Sequence, residues 1–117
     1  MKITVSLKEN HLFRRLYQKG KTAADSRLAL YVRPNGRTGN RLGFTVSTKL
    51  GHAVVRNRTR RRLREIYRLH EDELVHGRDV VIVARVRAAN STYWQLEKSF
   101  LYLAGKLDLL KQKKEQA

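Results

Sequence analysis

The residues with the clearest capacity for chemistry are arginines in one short segment. Positions 56–68 hold seven arginines, and Glu65 is the only acidic residue among them. On a helix, Arg56, Arg60 and Arg64 would align, and like charges at that spacing repel one another. The guanidinium fork suits phosphate and stacks on bases. A solvated surface helix would mix both signs of charge, so this single-signed segment predicts a nucleic-acid partner.

The composition of the whole chain agrees with that partner. The 117 residues include 26 lysines and arginines against 10 acidic residues, which gives a formal net charge of +16. Such an imbalance points to a polyanion. The chain has no cysteine, which excludes disulfide scaffolds, thiol catalysis and cysteine-bound zinc. No apolar run approaches the roughly 18 residues of a membrane span, so we expect a cytoplasmic protein without a membrane partner.

Catalysis by the chain itself is not indicated. A hydrolytic nuclease needs carboxylates gathered around metal ions, or histidines placed for general acid–base work. The only acidic run is Glu71-Asp72-Glu73, which predicts a solvated helix end, and the four histidines show no metal-ligand spacing. We therefore predict no catalytic residue and no metal ligand in this chain.

Aromatic side chains among basic ones form a second signal. Phe13 and Tyr17 share one face of a predicted helix, and Tyr31 lies on a strand face with Arg27 and Arg33. Such rings either stack on unpaired bases or pack into the core. Spacing alone leaves both interpretations open. RNA is favoured over DNA because the basic helix lies among strands rather than in a helix-turn-helix frame.

Hydrophobic periodicity places these residues on a mixed set of elements. Three helices are predicted, each from an apolar stripe or a capping box, over Ser6–Lys19, Ala53–Leu69 and Thr92–Leu110. Three strands are predicted, with a short fourth near Lys21–Ala24, over Leu28–Val32, Arg41–Ser47 and Asp79–Ala84. The last of the three is apolar on both faces and should be central. The other two flank a turn-rich stretch and should form a hairpin, with helices on one side of the sheet only.

The ordered motifs resemble one known family. The run Gly51 to Arg58, continuing through Arg60, Arg61, Arg64 and Glu65, is similar to the RNR signature of the bacterial ribonuclease P protein component. Further segments of that family occur here in the same order, namely Phe13 and Tyr17 before Gly20, Leu30-Tyr31, Leu42 to Ser47, and Gly77 to Val81. The similarity covers nearly the whole chain.

The resemblance implies a fold. It is a compact two-layer α/β sandwich in the order αβββαβα, with a four-stranded mixed sheet. An unusual left-handed crossover contains the basic helix, against the general right-handed rule. Residues 1–117 would form a single RNA-binding domain, with a frayed tail over 111–117.

The resemblance also implies a function. The chain would be the protein subunit of a ribonucleoprotein endoribonuclease that removes the 5′ leader of precursor tRNA, with the active site and its Mg²⁺ mainly in the RNA. Its partners would be ribonuclease P RNA and precursor tRNA, and sulfate or phosphate should bind the basic face. The positions matched to RNA-subunit binding are Lys49, Arg56, Asn57, Arg58, Arg60, Arg61, Arg64 and Arg68. Those matched to the leader are Phe13, Tyr17 and Tyr31, to which the residues of the same strand face add Arg27 and Arg33. The alternative is a ribosomal or other structural RNA-binding protein without a nuclease role.

Overall fold

A computed structural model describes residues 1–111, which build one five-stranded mixed sheet with three helices. The strands in chain order are β1 (Thr4–Ser6), β2 (Lys21–Ala24), β3 (Leu28–Pro34), β4 (Asn40–Val46) and β5 (Arg78–Ala84). The helices are α1 (Asn10–Lys19), α2 (Ala53–His70) and α3 (Tyr93–Lys106). The mixed α/β class is therefore confirmed. The predicted frayed tail lies outside the described residues, apart from Lys111.

The sheet order is β1-β4-β5-β3-β2, with β5 in the middle. β5 pairs in parallel with β4 and antiparallel with β3. The predicted central position of β5 is confirmed. A strand with apolar side chains on both faces needs cover on both. The predicted hairpin of β3 and β4 is wrong, since β5 lies between them. β4 and β5 are joined through α2, so the basic helix lies in a crossover connection, whose left-handed sense stays a prediction.

The N-terminal strand is a fifth strand that the sequence does not predict. β1 pairs in parallel with residues 40–42 of β4, and the Leu7 amide extends the pairing by donating to the Leu42 carbonyl (2.9 Å). Ser6 therefore belongs to a strand and cannot cap a helix. α1 begins at Asn10, and Glu9 at its N-cap makes no side-chain capping bond. Three residues are too few for alternation to be visible in the sequence.

The sheet separates two hydrophobic clusters. The larger lies under α2 and α3 and contains Leu30, Ile82 and Phe100. The smaller lies on the opposite face, where Leu16 of α1 packs with Val81. The expectation that helices cover only one side of the sheet was thus wrong. Helix α1 covers one face, and α2 and α3 cover the other. The predicted capping box of Thr92 and Gln95 is confirmed at the start of α3.

The C-terminal end of α2 is held to its neighbours by a histidine between two carboxylates. The Nε2 of His70 lies 3.0 Å from an Oε2 oxygen of Glu97 on α3, and its Nδ1 contacts Glu73. Burial opposes a charge on this imidazole. The hydrogen bonds to Glu97 and Glu73 outweigh that effect and raise the pKa of His70 above its usual value.

This arrangement predicts a pH-dependent stability. Because the folded pKa of His70 is raised, its contribution is fully present below the unfolded value of about 6.5 and is lost as pH rises through the folded pKa. Urea unfolding of the protein and of His70→Gln from pH 5.5 to 9 measures this. The difference in unfolding free energy between the two should shrink with rising pH, and a difference that grows would contradict the assignment.

Candidate nucleic-acid interface

The basic helix α2 buries one stripe and exposes another. Thr59, Leu63, Ile66 and Tyr67 are buried against the sheet and α3. The opposite side is exposed and consists of polar and basic residues, which we call the arginine face: Asn57, Arg58, Arg61, Arg64 and Arg68. Five of the predicted RNA-subunit residues thus share one solvent-facing surface.

The counter-charges near the arginine face are few. Within residues 1–111, Arg68 is the only arginine of α2 in an ion pair, with its Nε donating to Glu65 (3.0 Å). Their hydrogen bond lowers the pKa of Glu65 and raises that of Arg68. The pair is exposed on both sides, so it stabilises the fold little. Arg60 instead donates to the neutral Asn57 Oδ1 (3.2 Å). The face therefore remains strongly positive and open to an external anion.

Arg56 is less exposed than Arg64, which lies about two helical turns further along α2. It is half-buried on the flank of α2, and its Nε atom is buried without a hydrogen-bond partner in the described part of the chain. The turn of the helix places position 56 closer to the buried stripe than position 64. Arg56 therefore lies on the flank of α2, outside the arginine face.

Lys49 lies just before the helix. It belongs to the short 3₁₀ turn Thr48–Leu50, and its amide donates to the Ser47 hydroxyl (3.1 Å). Its side chain is exposed. The turn thus presents Lys49 at the N-terminal end of the arginine face.

A cleft runs between α2 and the N-terminal part of α1. Arg60 and Arg64 line it from one side and Phe13 from the other, with β1 and β4 forming its floor, and its volume is about 490 Å³. Among the described strands β1 pairs with only three residues of β4, so the β4 edge beyond Leu42 is left open toward the cleft. The fold thus brings two arginines of α2 beside an aromatic ring of α1, which the sequence could not place together.

Gly43 makes room for that ring. A Cβ atom at this position would lie 2.5 Å from Cζ of Phe13. Only glycine allows the strand and the ring to approach so closely. Gly43 is therefore a residue that positions Phe13, and sequence reasoning did not assign it that role.

The predicted aromatic residues form a continuous strip from this cleft along α1. The ring centroids of Phe13 and Tyr17 are 6.5 Å apart, and those of Tyr17 and Tyr31 are 4.9 Å apart at 78°. The Tyr17 hydroxyl hydrogen-bonds to the Thr45 hydroxyl (2.5 Å), and 41% of Tyr17 remains exposed. Phe13 and Tyr31 are half-buried and also pack on the smaller hydrophobic cluster. The strip thus packs on the smaller hydrophobic cluster through Phe13 and Tyr31 and presents the ring of Tyr17 to solvent.

The two arginines predicted with the aromatic strip occupy different places, Arg33 beside the strip and Arg27 away from it. Arg33 shares the face of Tyr31 and is opposite Asp79 in the register. Asp79 is bound by Arg41, whose Nε and Nη2 donate at 2.7 and 2.8 Å. Arg33 Nη1 has no hydrogen-bond partner within residues 1–111. It therefore adds an unneutralised charge beside the aromatic strip.

Arg27 lies at a different place from the strip. Its Nε donates to the hydroxyl of Ser91 (3.1 Å), which turns the side chain toward α3. Alternation predicted that Arg27 shares the strand face of Tyr31, but position 27 precedes β3, and its side chain is hydrogen-bonded to Ser91 just before α3. The structure brings Phe13, Tyr17, Tyr31 and Arg33 together and leaves Arg27 outside that group.

Residues 1–111 show neither a metal-binding cluster nor a membrane-spanning helix. No group of three or more histidine, cysteine or acidic side chains in residues 1–111 is placed to hold a metal ion. No helix of the same region has the length and apolar character needed to cross a membrane.

This basic α/β chain is similar to known proteins over most of its length. The family described as Ribonuclease P matches residues 1–108. The ribonuclease P protein component of Alkaliphilus metalliredigens is 42% identical over 104 residues, covering 89% of this chain and 94% of the relative. That of Desulforamulus reducens is 43% identical over 108 residues, covering 92% and 96%. The Staphylococcus aureus RNase P protein structure has a TM-score of 0.84 and 31% identity, over 91% of this chain and 97% of that one.

The chain belongs to the ribonuclease P protein family. The family match covers nearly all of the described residues, and the solved relative shares the mixed sheet with its helices. The resemblance carried by the RNR segment is thus confirmed. The count of five strands replaces the four that the resemblance implied.

Proposed function

We propose that this chain is the protein component of ribonuclease P, which assists removal of the 5′ leader from precursor tRNA. The arginine face of α2 binds the catalytic RNA subunit, and the cleft with its aromatic strip holds the single-stranded leader. The observation that carries this proposal is that Arg60 and Arg64 line the cleft together with Phe13, while Arg64 also belongs to the arginine face.

Electrostatics explains why such a protein is useful. The catalytic RNA and the precursor tRNA are both polyanions and repel one another. A protein with a formal net charge of +16 between them offsets that repulsion and releases counterions from both. Lower local repulsion would also favour uptake of Mg²⁺, which the RNA subunit would hold and which would act as a Lewis acid in phosphodiester hydrolysis. Sulfate and phosphate are small anions that the same face would bind, and the complex would act in the cytoplasm.

The aromatic strip accounts for substrate selection. The leader is the part that distinguishes precursor from mature tRNA, and its unpaired bases stack on aromatic rings without strong sequence preference. Arg33 and the arginines of the cleft are available to its phosphates. The protein therefore raises the affinity for precursor more than the affinity for product.

Reconstitution tests the proposal. The protein is mixed with bacterial ribonuclease P RNA at low Mg²⁺, and cleavage of precursor tRNA is followed with the RNA alone and the protein alone as controls. We expect cleavage to be stimulated only when both are present, and precursor binding to improve more than mature tRNA binding. Absence of stimulation would favour a structural RNA-binding role, and cleavage by the protein alone would place the active site in this chain.

A further inference from the structure

The opposite flank of α2 has a second groove that the proposed function does not use. Arg58 and Arg62 form one wall, and the segment from Ala89 through Trp94 forms the other, leaving an open groove of about 550 Å³. We call this the indole groove. Its volume lies within the range of small-ligand sites, roughly 300–1,000 Å³. Trp94 on the first turn of α3 is 72% exposed, although an indole is among the most costly side chains to leave in water.

The orientation of the indole is fixed from one side. Tyr93 meets Trp94 nearly edge-on, with ring centroids 5.2 Å apart and an interplanar angle of 87°. The capping box of Thr92 and Gln95 secures the turn that carries both rings. Tyr93 is half-buried against the protein, whereas Trp94 is open to solvent. Trp94 is therefore a held, uncovered aromatic surface.

The charges of the groove are of one sign. Arg62 Nη1 donates to the Ser91 carbonyl (3.2 Å), and Arg58 Nη2 makes a longer contact with the Ala89 carbonyl (3.4 Å). Each bond uses one of the five donors of a guanidinium and leaves the others available. No acidic residue lines the groove among the described residues. The nearest carboxylates beyond Tyr93 are engaged, Glu65 by Arg68 and Glu97 by His70.

We propose that the indole groove binds one unpaired nucleotide of the catalytic RNA subunit. The base stacks on Trp94, and its phosphate is bound by Arg58 and Arg62. Arg58 belongs to both the groove and the arginine face, so the groove is continuous with the surface proposed to lie on that RNA. The cleft proposed to hold the leader is on the other flank of α2, at Arg60 and Arg64. This inference rests on the proposed function, because it assigns a further contact to the same RNA partner.

Trp94 is the only tryptophan of the chain, so its fluorescence reports on this groove alone. The full chain is titrated with ribonuclease P RNA, and separately with precursor tRNA, while emission and acrylamide quenching are recorded. We expect the RNA subunit to reduce the emission and to protect the indole from acrylamide. Trp94→Ala should weaken RNA-subunit binding by about five-fold or more, since stacking contributes at least roughly 1 kcal/mol per base, and Trp94→Phe should retain part of the affinity.

Tyr102→Ala is the matched control, because Tyr102 is an exposed aromatic residue on the same helix but outside both grooves. It should bind like the unaltered chain. If the RNA subunit binds yet leaves the emission unchanged, and Trp94→Ala binds normally, the inference is overturned while the proposed function stands. A response to precursor tRNA alone would overturn the assignment to the RNA subunit. Failure of the unaltered chain to bind the RNA subunit would overturn both.

Discussion

Replacing Arg61 and Arg64 together by glutamine is expected to weaken binding of the catalytic RNA by about ten-fold or more. Both side chains are exposed and make no ion pair within residues 1–111, so their charges are free for phosphate. Each lost phosphate contact should lower the slope of log affinity against log salt by roughly 0.7 to 0.9. Filter binding or fluorescence anisotropy across a salt series measures both quantities.

The control for this prediction removes the same charge elsewhere. Lys98→Gln combined with Lys106→Gln lowers the net charge equally, but on α3 and away from the arginine face. We expect it to change the salt slope much less. Equal effects of the two double variants would mean that net charge alone attracts the RNA and that α2 is not the contact surface.

Tyr17→Ala is expected to lower the affinity for precursor tRNA by roughly 5- to 150-fold, which corresponds to about 1–3 kcal/mol for one stacked base. Tyr17 is the most exposed ring of the aromatic strip, so its loss removes stacking surface while leaving the buried cluster in place. Affinity for the RNA subunit should stay near that of the unaltered chain. Binding of precursor and mature tRNA to the reconstituted complex measures the effect.

Tyr17→Phe separates the ring from its hydroxyl. The ring is kept while the hydrogen bond to Thr45 is lost, so precursor affinity should remain close to normal. Thermal unfolding of both variants checks that the fold persists. An equal loss of affinity for mature tRNA, or a loss in Tyr17→Phe as large as in Tyr17→Ala, would contradict leader stacking.

Local patterns were sufficient to predict several elements of this fold. The apolar stripe of α2 predicted the helix almost to its ends, because helix periodicity and one-sided burial coincide there. The doubly apolar run of β5 predicted its central position, and Thr92 with Gln95 predicted the start of α3. In each case the information lies within a few neighbouring residues.

Strand pairing and contacts between residues far apart in the sequence could not be predicted in the same way. The turn-rich stretch between β3 and β4 suggested a hairpin, but strand pairing is decided by burial across the whole sheet, and β5 takes the place between them. The exposure of Arg56 depends on which side of α2 faces the core. The direction of Arg27 depends on the hydroxyl of Ser91, which is distant in the sequence. Arg60 and Phe13 line the same cleft only because the folded sheet brings α1 and α2 to the edge of β4.

The insertion of β5 between β3 and β4 also has a consequence for folding kinetics. Both neighbours leave the ribosome before β5, and neither can complete its pairing until residues 78–84 arrive. Closing the sheet means closing a loop that contains α2 with its seven arginines, whose mutual repulsion opposes the contact. Anions that screen this repulsion should therefore accelerate formation of the native sheet.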